Sequence, residues 1–240
     1  DKYANLKVGY AFMIGHPGKK LLFMGQDFAQ LREWSEEREL DWYLLAEDEQ
    51  HVYVKNFWRD LLKLYKKNKA LYEQDCCMEG FEWINNISAN ENVIVFLRKT
   101  AKDKDTLLVV CNFANEKRTD YKIGVPYPGK YKEILNSDAR KFGGENDINV
   151  RAIASKEEEC DGREDSIRIK MPALSMQIFS YTPFLAKEKA EIERLKEEER
   201  QRKLEQEKLE QAKAAETEAR KLADEAKEQA KRAQEEAKEA

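Results

Sequence analysis

The sequence predicts a multidomain chain in three parts: a helix–strand–helix segment, a small antiparallel β domain and a long charged α-helix. Three observations support this division. All 10 glycines, all 5 prolines and every aromatic residue lie at or before Phe184. Apolar residues between positions 54 and 65 recur with helical spacing. Residues 166–171 instead alternate apolar and polar side chains, as in a half-buried strand.

The first 70 residues combine two predicted helices with one predicted strand. Residues 3–16 are mostly large and apolar and stop at a Pro-Gly breaker, which predicts a helix. The apolar run 21–24, between lysines and Gly25, is typical of a strand buried on both faces. Such a strand needs neighbours on both sides. The rest of the chain offers none of this kind, so we expect residues 20–70 to be less stable than residues 90–180. We also expect the helix over 54–65 to leave its apolar face uncovered.

The β domain is predicted over about residues 80–181. Residues 93–97 and 107–113 are apolar runs between turns, and Pro128-Gly129 and Gly143-Gly144 supply turn chemistry. Short strands separated by turns predict an antiparallel sheet.

The last part of the chain has a different composition. Residues 187–240 contain 15 basic and 17 acidic residues and no glycine, proline or aromatic residue. Acid-to-base pairs four residues apart, such as Glu199 and Lys203, favour a solvated single helix. Alanines from Ala212 to Ala237 recur every three or four residues, which leaves a weak coiled coil with a partner helix as the alternative.

Several classes of function are excluded by composition. The first 186 residues carry 28 basic and 30 acidic residues, so no broad basic surface predicts a nucleic-acid partner. No apolar run reaches the roughly 18 to 20 residues that span a membrane. The four cysteines and two histidines lack metal-ligand spacing, so we expect no metal and no cofactor. Reduced thiols of this kind favour a cytoplasmic protein.

Several blocks along the chain carry distinctive residues in one order: the run 17–28, Arg32-Glu33-Trp34, 40–45, Gly80-Phe81-Glu82-Trp83, 108–113, 133–139, Phe142-Gly143-Gly144 and 171–175. Together these blocks resemble the 1,4-α-glucan branching enzymes. The resemblance implies that residues 1–75 are the C-terminal end of a catalytic (β/α)₈ barrel and that residues 76–183 are an α-amylase-type β-sandwich. The charged helical tail, residues 184–240, has no counterpart in the usual family pattern. Asp27 departs from that pattern, which usually has Glu.

The resemblance also implies an activity. Branching enzymes transfer α-1,4-linked glucan segments to form α-1,6 branches in glycogen, by a retaining mechanism that needs three carboxylates. In the family these carboxylates come from earlier barrel strands, and none can be placed on this sequence. We therefore expect the chain alone to be inactive, with no catalytic residue of its own, and to require the N-terminal barrel half as a partner.

The candidate α-glucan-binding residues are Glu33, Trp34, Trp42 and Trp83. The first three lie in the loop that follows a barrel strand on the family template, where this fold builds its active face. Trp83 opens the β domain. Aromatic rings stack on sugars and carboxylates accept hydroxyl hydrogen bonds, but the same tryptophans could instead pin the loop and pack the domain interface. A different class of function also stays open: a non-catalytic glucan-binding or scaffold fragment whose tail recruits a partner.

Overall fold

The computed structural model describes residues 2–87 and 89–239. Side chains are described throughout these residues except for Ala89 and, in the tail, residues 214, 216, 219, 220, 222–226 and 228–239. The chain divides into two compact units, Asp1–Phe184 and Leu185–Ala240. No helix in the described part is long and apolar enough to cross a membrane.

Four α-helices form in the described residues: α1 (Lys2–Gly15), α2 (Leu44–Glu47), α3 (Glu49–Lys67) and α4 (Ala186–Glu239). Helix α3 contains the predicted amphipathic segment, and a side-chain hydrogen bond caps each of its ends. The Asp48 carboxylate accepts a hydrogen bond from the Gln50 amide at 2.9 Å, which satisfies one free N–H of the first turn. At the other end, the Asn68 side-chain amide donates to the Leu64 carbonyl at 2.8 Å.

Eight strands form in the described residues: β1 (Phe81–Asn85), β2 (Val93–Arg98), β3 (Leu107–Asn112), β4 (Arg118–Val125), β5 (Gly129–Asn136), β6 (Ile153–Ala154), β7 (Asp165–Met171) and β8 (Ser175–Pro183). Six of them make one sheet in the order β1-β2-β3-β8-β5-β6, and β4 pairs with β7 in a second sheet. All pairings are antiparallel. The predicted antiparallel β domain is therefore confirmed.

The predicted buried strand over 20–25 is wrong for this chain. The segment has no regular secondary structure. Leu21 is 76% exposed, and Phe23 and Met24 are 51% and 52% exposed. A strand buried on both faces exists only between two neighbouring strands. The described sheets are built entirely from residues 81–183, so no strand of the described residues pairs with this segment.

Two apolar clusters hold the first unit together. One lies between helices α1 and α3 and a face of the large sheet, and includes Phe57, Leu61, Phe96 and Ile178. The expectation that α3 leaves its apolar face uncovered is therefore wrong, because the sheet and α1 cover it. The other cluster joins the two sheets; among its members are Val95, Leu108, Ile123, Ile167 and Phe179.

Helix α1 approaches the sheet closely at Gly15. A Cβ atom at that position would lie 2.8 Å from the Met176 methyl group and 3.4 Å from side-chain atoms of Phe96 and Val109. A larger residue at this position would require the Met176 methyl group to shift. The last turn of α1 thus lies directly on β2, β3 and β8.

A buried arginine links the helical segment to the sheet. Arg98, on β2, is fully buried. Its guanidinium donates hydrogen bonds to the Gly15 carbonyl at 2.7 Å, the Leu71 carbonyl at 3.2 Å and the Asp75 carboxylate at 2.7 Å. Asp75 in turn accepts from the Gly18 amide at 3.1 Å. One side chain therefore fixes the end of α1, the turn after α3 and the connector to β1.

The tail is helical over its described length. Glu199 and Lys203 form the expected ion pair at 2.9 Å, whereas Glu198 lies 3.9 Å from Arg194. Leu195, Leu204 and Leu209 are each about half exposed. From Ala219 onward, the alanine stripe falls on side chains outside those described, so the coiled coil stays a prediction.

Candidate functional site

The loop between α1 and α2 carries three of the four candidate residues, and a glycine turn shapes it. Gly25 has a left-handed backbone, with φ of 83°, and its carbonyl accepts a hydrogen bond from the Gln30 amide at 2.9 Å. The Gln30 side chain packs so closely on Gly25 that a Cβ there would lie 2.9 Å from it. The Tyr10 hydroxyl donates to the Gln26 carbonyl at 2.6 Å, which ties this turn to α1. Burial and the charge of Asp27 raise the pKa of Tyr10 to about 12, so the hydroxyl stays a donor at neutral pH.

An ion pair closes the loop. Arg32 donates two hydrogen bonds to the Asp41 carboxylate, one of them from Nε at 2.9 Å. The Asp41 amide donates to the Gln30 side-chain oxygen at 2.8 Å. Hydrogen bonding to Arg32 holds the pKa of Asp41 below its usual value, although burial opposes the shift. Asp41 thus orders the loop and is not free to act as an acid.

Glu33 and Trp34 line an open groove of about 390 Å³, named here the loop groove. Its walls are Phe23, Met24, Gln26, Gln30, Leu31, Arg32, Glu33 and Trp34. The Trp34 ring is 40% exposed and makes an edge contact with Phe23, whose centroid is 5.6 Å away. The groove combines an aromatic wall, apolar side chains and polar groups. This is the composition that binds the faces and hydroxyls of a sugar.

Trp42 lies in the same loop but against different neighbours. Its ring stacks on Phe28 with centroids 5.1 Å apart, and the Lys55 ammonium lies 5.5 Å from its centroid. The ring is 47% exposed. Phe28 is fully buried. Trp42 therefore packs on a buried side chain that holds the loop in place.

Trp83 belongs to an aromatic cluster on β1, the edge strand of the large sheet. Its ring contacts Phe81 at 4.7 Å, Phe96 at 5.8 Å and His16 at 6.1 Å between centroids. It remains 38% exposed. Within the described residues, no ring contact joins Trp83 to Trp34 or Trp42. The structure therefore brings Glu33 and Trp34 together and leaves Trp42 and Trp83 at separate places.

Glu82, next to Trp83, faces the opposite side of β1, and its carboxylate is paired with two basic side chains. Its carboxylate accepts from Lys99 at 2.6 Å and also pairs with Arg163. Burial alone would raise the pKa of Glu82, but the hydrogen bonds and charges of Lys99 and Arg163 lower it below its ordinary value. This carboxylate holds the sheet edge in place.

Sequence reasoning missed the apolar wall of the loop groove. The sequence predicts Phe23 and Met24 in a buried strand and points to no role for Leu31, yet each is at least half exposed. The available signal was the run of large apolar residues with no partner strand in the chain. In the part of the chain that the structure describes, no cluster of three or more His, Cys, Asp or Glu side chains could hold a metal ion.

Comparison with known proteins defines the class of this fold. Residues 83–182 match the α-amylase C-terminal all-β domain family. Among solved structures, a debranching enzyme from Nostoc punctiforme shares the fold with a TM-score of 0.50 and 15% identity, covering 74% of this chain and 31% of that one. The β domain is therefore an α-amylase-type C-terminal domain.

Sequence relatives identify the family. The chain is 44% identical over 179 residues to the 1,4-α-glucan branching enzyme GlgB of Oceanobacillus iheyensis, and 44% identical over 181 residues to that of Butyrivibrio fibrisolvens. Each match covers 75% of this chain and 28% of the relative. The chain belongs to the branching enzyme family and corresponds to its C-terminal portion, so it spans just over a quarter of the curated relatives' length.

Proposed function

We propose that this chain is the C-terminal part of an enzyme that moves α-1,4-linked glucan segments to α-1,6 branch points in glycogen. The observation that carries the proposal is the 44% identity to branching enzymes over three quarters of the chain. A cytoplasmic site for the reaction is part of the proposal, and the four free cysteines support it.

In this proposal, residues 1–75 are the last helix–strand–helix part of the catalytic barrel. The exposed segment at Leu21, Phe23 and Met24 supports the assignment. In a complete barrel this segment would be a strand between two parallel neighbours, with its side chains buried on both faces of the sheet. The partner that covers them is the N-terminal barrel half. That half would also supply the three catalytic carboxylates, since no residue of this chain matches them.

The direct test is activity with and without the partner half. The chain alone, incubated with amylose, should leave the blue iodine complex unchanged and form no α-1,6 linkages. Added barrel half, made as a separate polypeptide from a branching enzyme relative, should restore branching. New α-1,6 linkages made by the chain alone would contradict the proposal that the N-terminal barrel half supplies the catalytic carboxylates.

We place glucan contact at the loop groove, through Trp34 and Glu33. The groove's exposed aromatic wall supports this assignment. Trp34→Ala should weaken retardation of the chain in amylose-containing gels about tenfold, because stacking on a half-exposed ring is lost. Stability should change little. Trp58→Ala is the matched control: this ring is 8% exposed in the core. Its loss should cost about 3–5 kcal/mol of unfolding free energy.

Trp83 is the second candidate for glucan contact, outside the catalytic cleft. Its partial exposure supports contact, and its three ring neighbours support packing. Trp83→Ala separates these roles when gel retardation and thermal midpoint are measured together. Weaker retardation with an unchanged midpoint would support glucan contact; an unchanged retardation with a large fall in midpoint would remove Trp83 from the site.

A non-catalytic glucan-binding or scaffold fragment is the second candidate function. The aromatic loop groove favours it, because an exposed aromatic wall of this kind is suited to sugar binding without any catalytic group. This candidate predicts gel retardation by glucan but no gain of branching activity when the barrel half is added. Its tail would then serve to recruit a partner helix.

A further inference from the structure

A second groove, named here the basic groove, lies away from the aromatic loop. It has a volume of about 340 Å³ and is formed by the turn after α3, the β2–β3 connection and β8. Its lining residues are Lys67, Asn68, Lys69, Lys102, Lys104, Asp105, Thr106, Leu107 and Ser180. It is separate from the loop groove and shares no lining residue with it.

Charge in the basic groove is strongly one-sided. Four lysines face a single carboxylate, that of Asp105, which also accepts a long hydrogen bond from Thr100 at 3.5 Å. Among the described residues, Lys69 alone of these four lysines forms an ion pair: the Glu73 carboxylate lies 3.9 Å from its ammonium. The first 186 residues as a whole carry slightly more acidic than basic residues, so this excess of positive charge is local.

An unpartnered hydroxyl lies in the same groove. Thr106 is 1% exposed, and its Oγ1 atom has no hydrogen-bond partner in the structure. Its backbone is satisfied on both sides, by the Asp103 carbonyl at 3.0 Å and the Tyr181 amide at 3.3 Å. A buried hydroxyl without a partner is costly unless something else supplies one. The neighbouring Ser180 hydroxyl and Asn68 amide add further polar groups to the wall.

We propose that the basic groove binds a phosphate group, either as inorganic phosphate or as a monoester carried on a sugar. A phosphate dianion neutralises the excess lysine charge, and its oxygens accept hydrogen bonds from the ammonium groups and from the Thr106 hydroxyl. The small size of the positive cluster, set in a domain that is otherwise slightly acidic, favours a compact anion over an extended polyanion. The inference is independent of the glucan contact proposed for the loop groove.

The test is a titration of the full 240-residue chain, followed by amide NMR shifts, at constant ionic strength set with chloride. Inorganic phosphate and glucose 6-phosphate are the two anionic probes, and glucose is the neutral control. We expect saturable shifts at Thr106, Leu107 and Ser180 with millimolar affinity, and none with glucose. Tighter binding of the sugar phosphate would identify an esterified glucan as the source, and equal binding would identify the free anion.

Two variants make the test specific. The double variant K102A/K104A should weaken phosphate binding about tenfold. The matched control K19A/K63A removes the same charge from exposed positions outside the groove and should leave the affinity unchanged. Thr106→Val should weaken phosphate binding several-fold without lowering the thermal midpoint, because the hydroxyl has no internal partner to lose.

Four outcomes would overturn the proposal. The first three are the absence of saturable shifts, an equal loss of affinity in the double variant and its control, and displacement of phosphate by a short single-stranded RNA that binds more tightly. A fall in midpoint for Thr106→Val would also count against it, since the hydroxyl would then be satisfied inside the fold.

Discussion

Single residues with buried charge connect the parts of the first unit. Arg98 donates to the main-chain carbonyls of Gly15 and Leu71 and to the Asp75 carboxylate, and no water reaches its side chain. Removing one partner of a buried ion pair leaves the other charged group and its acceptors without compensation. The arrangement therefore makes the attachment of the helical segment depend on one side chain.

Arg98→Met should lower the free energy of unfolding by about 3–5 kcal/mol, because it leaves Asp75 and three main-chain carbonyls without their donor. Denaturant unfolding of the 240-residue chain measures this. Arg168→Met is the matched control, since Arg168 pairs with Asp120 at the surface. That change should cost no more than about 1 kcal/mol. Equal effects of the two substitutions would contradict the role assigned to Arg98.

Glu82 gives the fold a dependence on acid pH. Its pKa is lowered in the folded state by Lys99 and Arg163, against the effect of burial. A carboxyl group with a depressed folded pKa contributes stability that is complete above its unfolded pKa, about 4.3, and is lost as pH falls through the folded value. Glu82→Gln should thus lower the thermal midpoint at neutral pH, and the difference from the parent chain should shrink as pH falls through the folded pKa of Glu82. Glu116→Gln, at an exposed pair, is the control and should change the midpoint little at neutral pH.

At the scale of elements, the periodicity of apolar residues predicts a helix or strand that packs within its own unit. It does not predict whether a strand finds the neighbouring strands it needs. The spacing over 54–65 predicts α3, and alternation at 166–171 predicts β7. Both patterns are sufficient because each element buries one face against the same unit. The run at Leu21 to Met24 carries an equally clear pattern. It forms no strand, because a buried strand depends on neighbours that the pattern itself does not contain.

Candidate sites follow the same rule. Glu33 and Trp34 are adjacent in sequence, so a shared groove could be expected from the chain alone. Phe23 joins them only through the Gly25 turn, which no periodicity predicts. The basic groove combines the end of α3 with the β2–β3 connection and β8, and only the tertiary fold brings these segments together.

Hydrogen exchange should separate the two kinds of element within residues 20–70. Amides of α3 should exchange as slowly as those of β3, because Phe57 and Leu61 share a core with Val109. Amides at 19–25 should exchange much faster, since that segment has no strand partner. Slow exchange at 19–25 would mean that the strand forms with a neighbour after all. Uniformly fast exchange over 20–67 would instead show that α3 is not held by the sheet.

At the scale of the whole molecule, the two units have different sources of stability. The first has two apolar clusters, whereas the described side chains of α4 are mostly exposed and charged. A helix of this kind depends on local ion pairs and intrinsic propensity. Deleting residues 185–240 should therefore leave the thermal midpoint of the first unit within about 2 °C of the full chain. A larger fall would show that the tail stabilises that unit.

The isolated tail, residues 185–240, should be a monomeric helix whose helicity depends on salt. Pairs such as Glu199–Lys203 and Glu191–Arg194 stabilise each turn by a few tenths of a kcal/mol. Added salt screens exposed pairs of this kind, so circular dichroism should show helicity falling as salt rises. The signal should also be independent of peptide concentration. Helicity that rises with concentration would instead mean that alanines such as Ala212 and Ala215 form a helix–helix seam, and the tail would then be an element that recruits a partner helix.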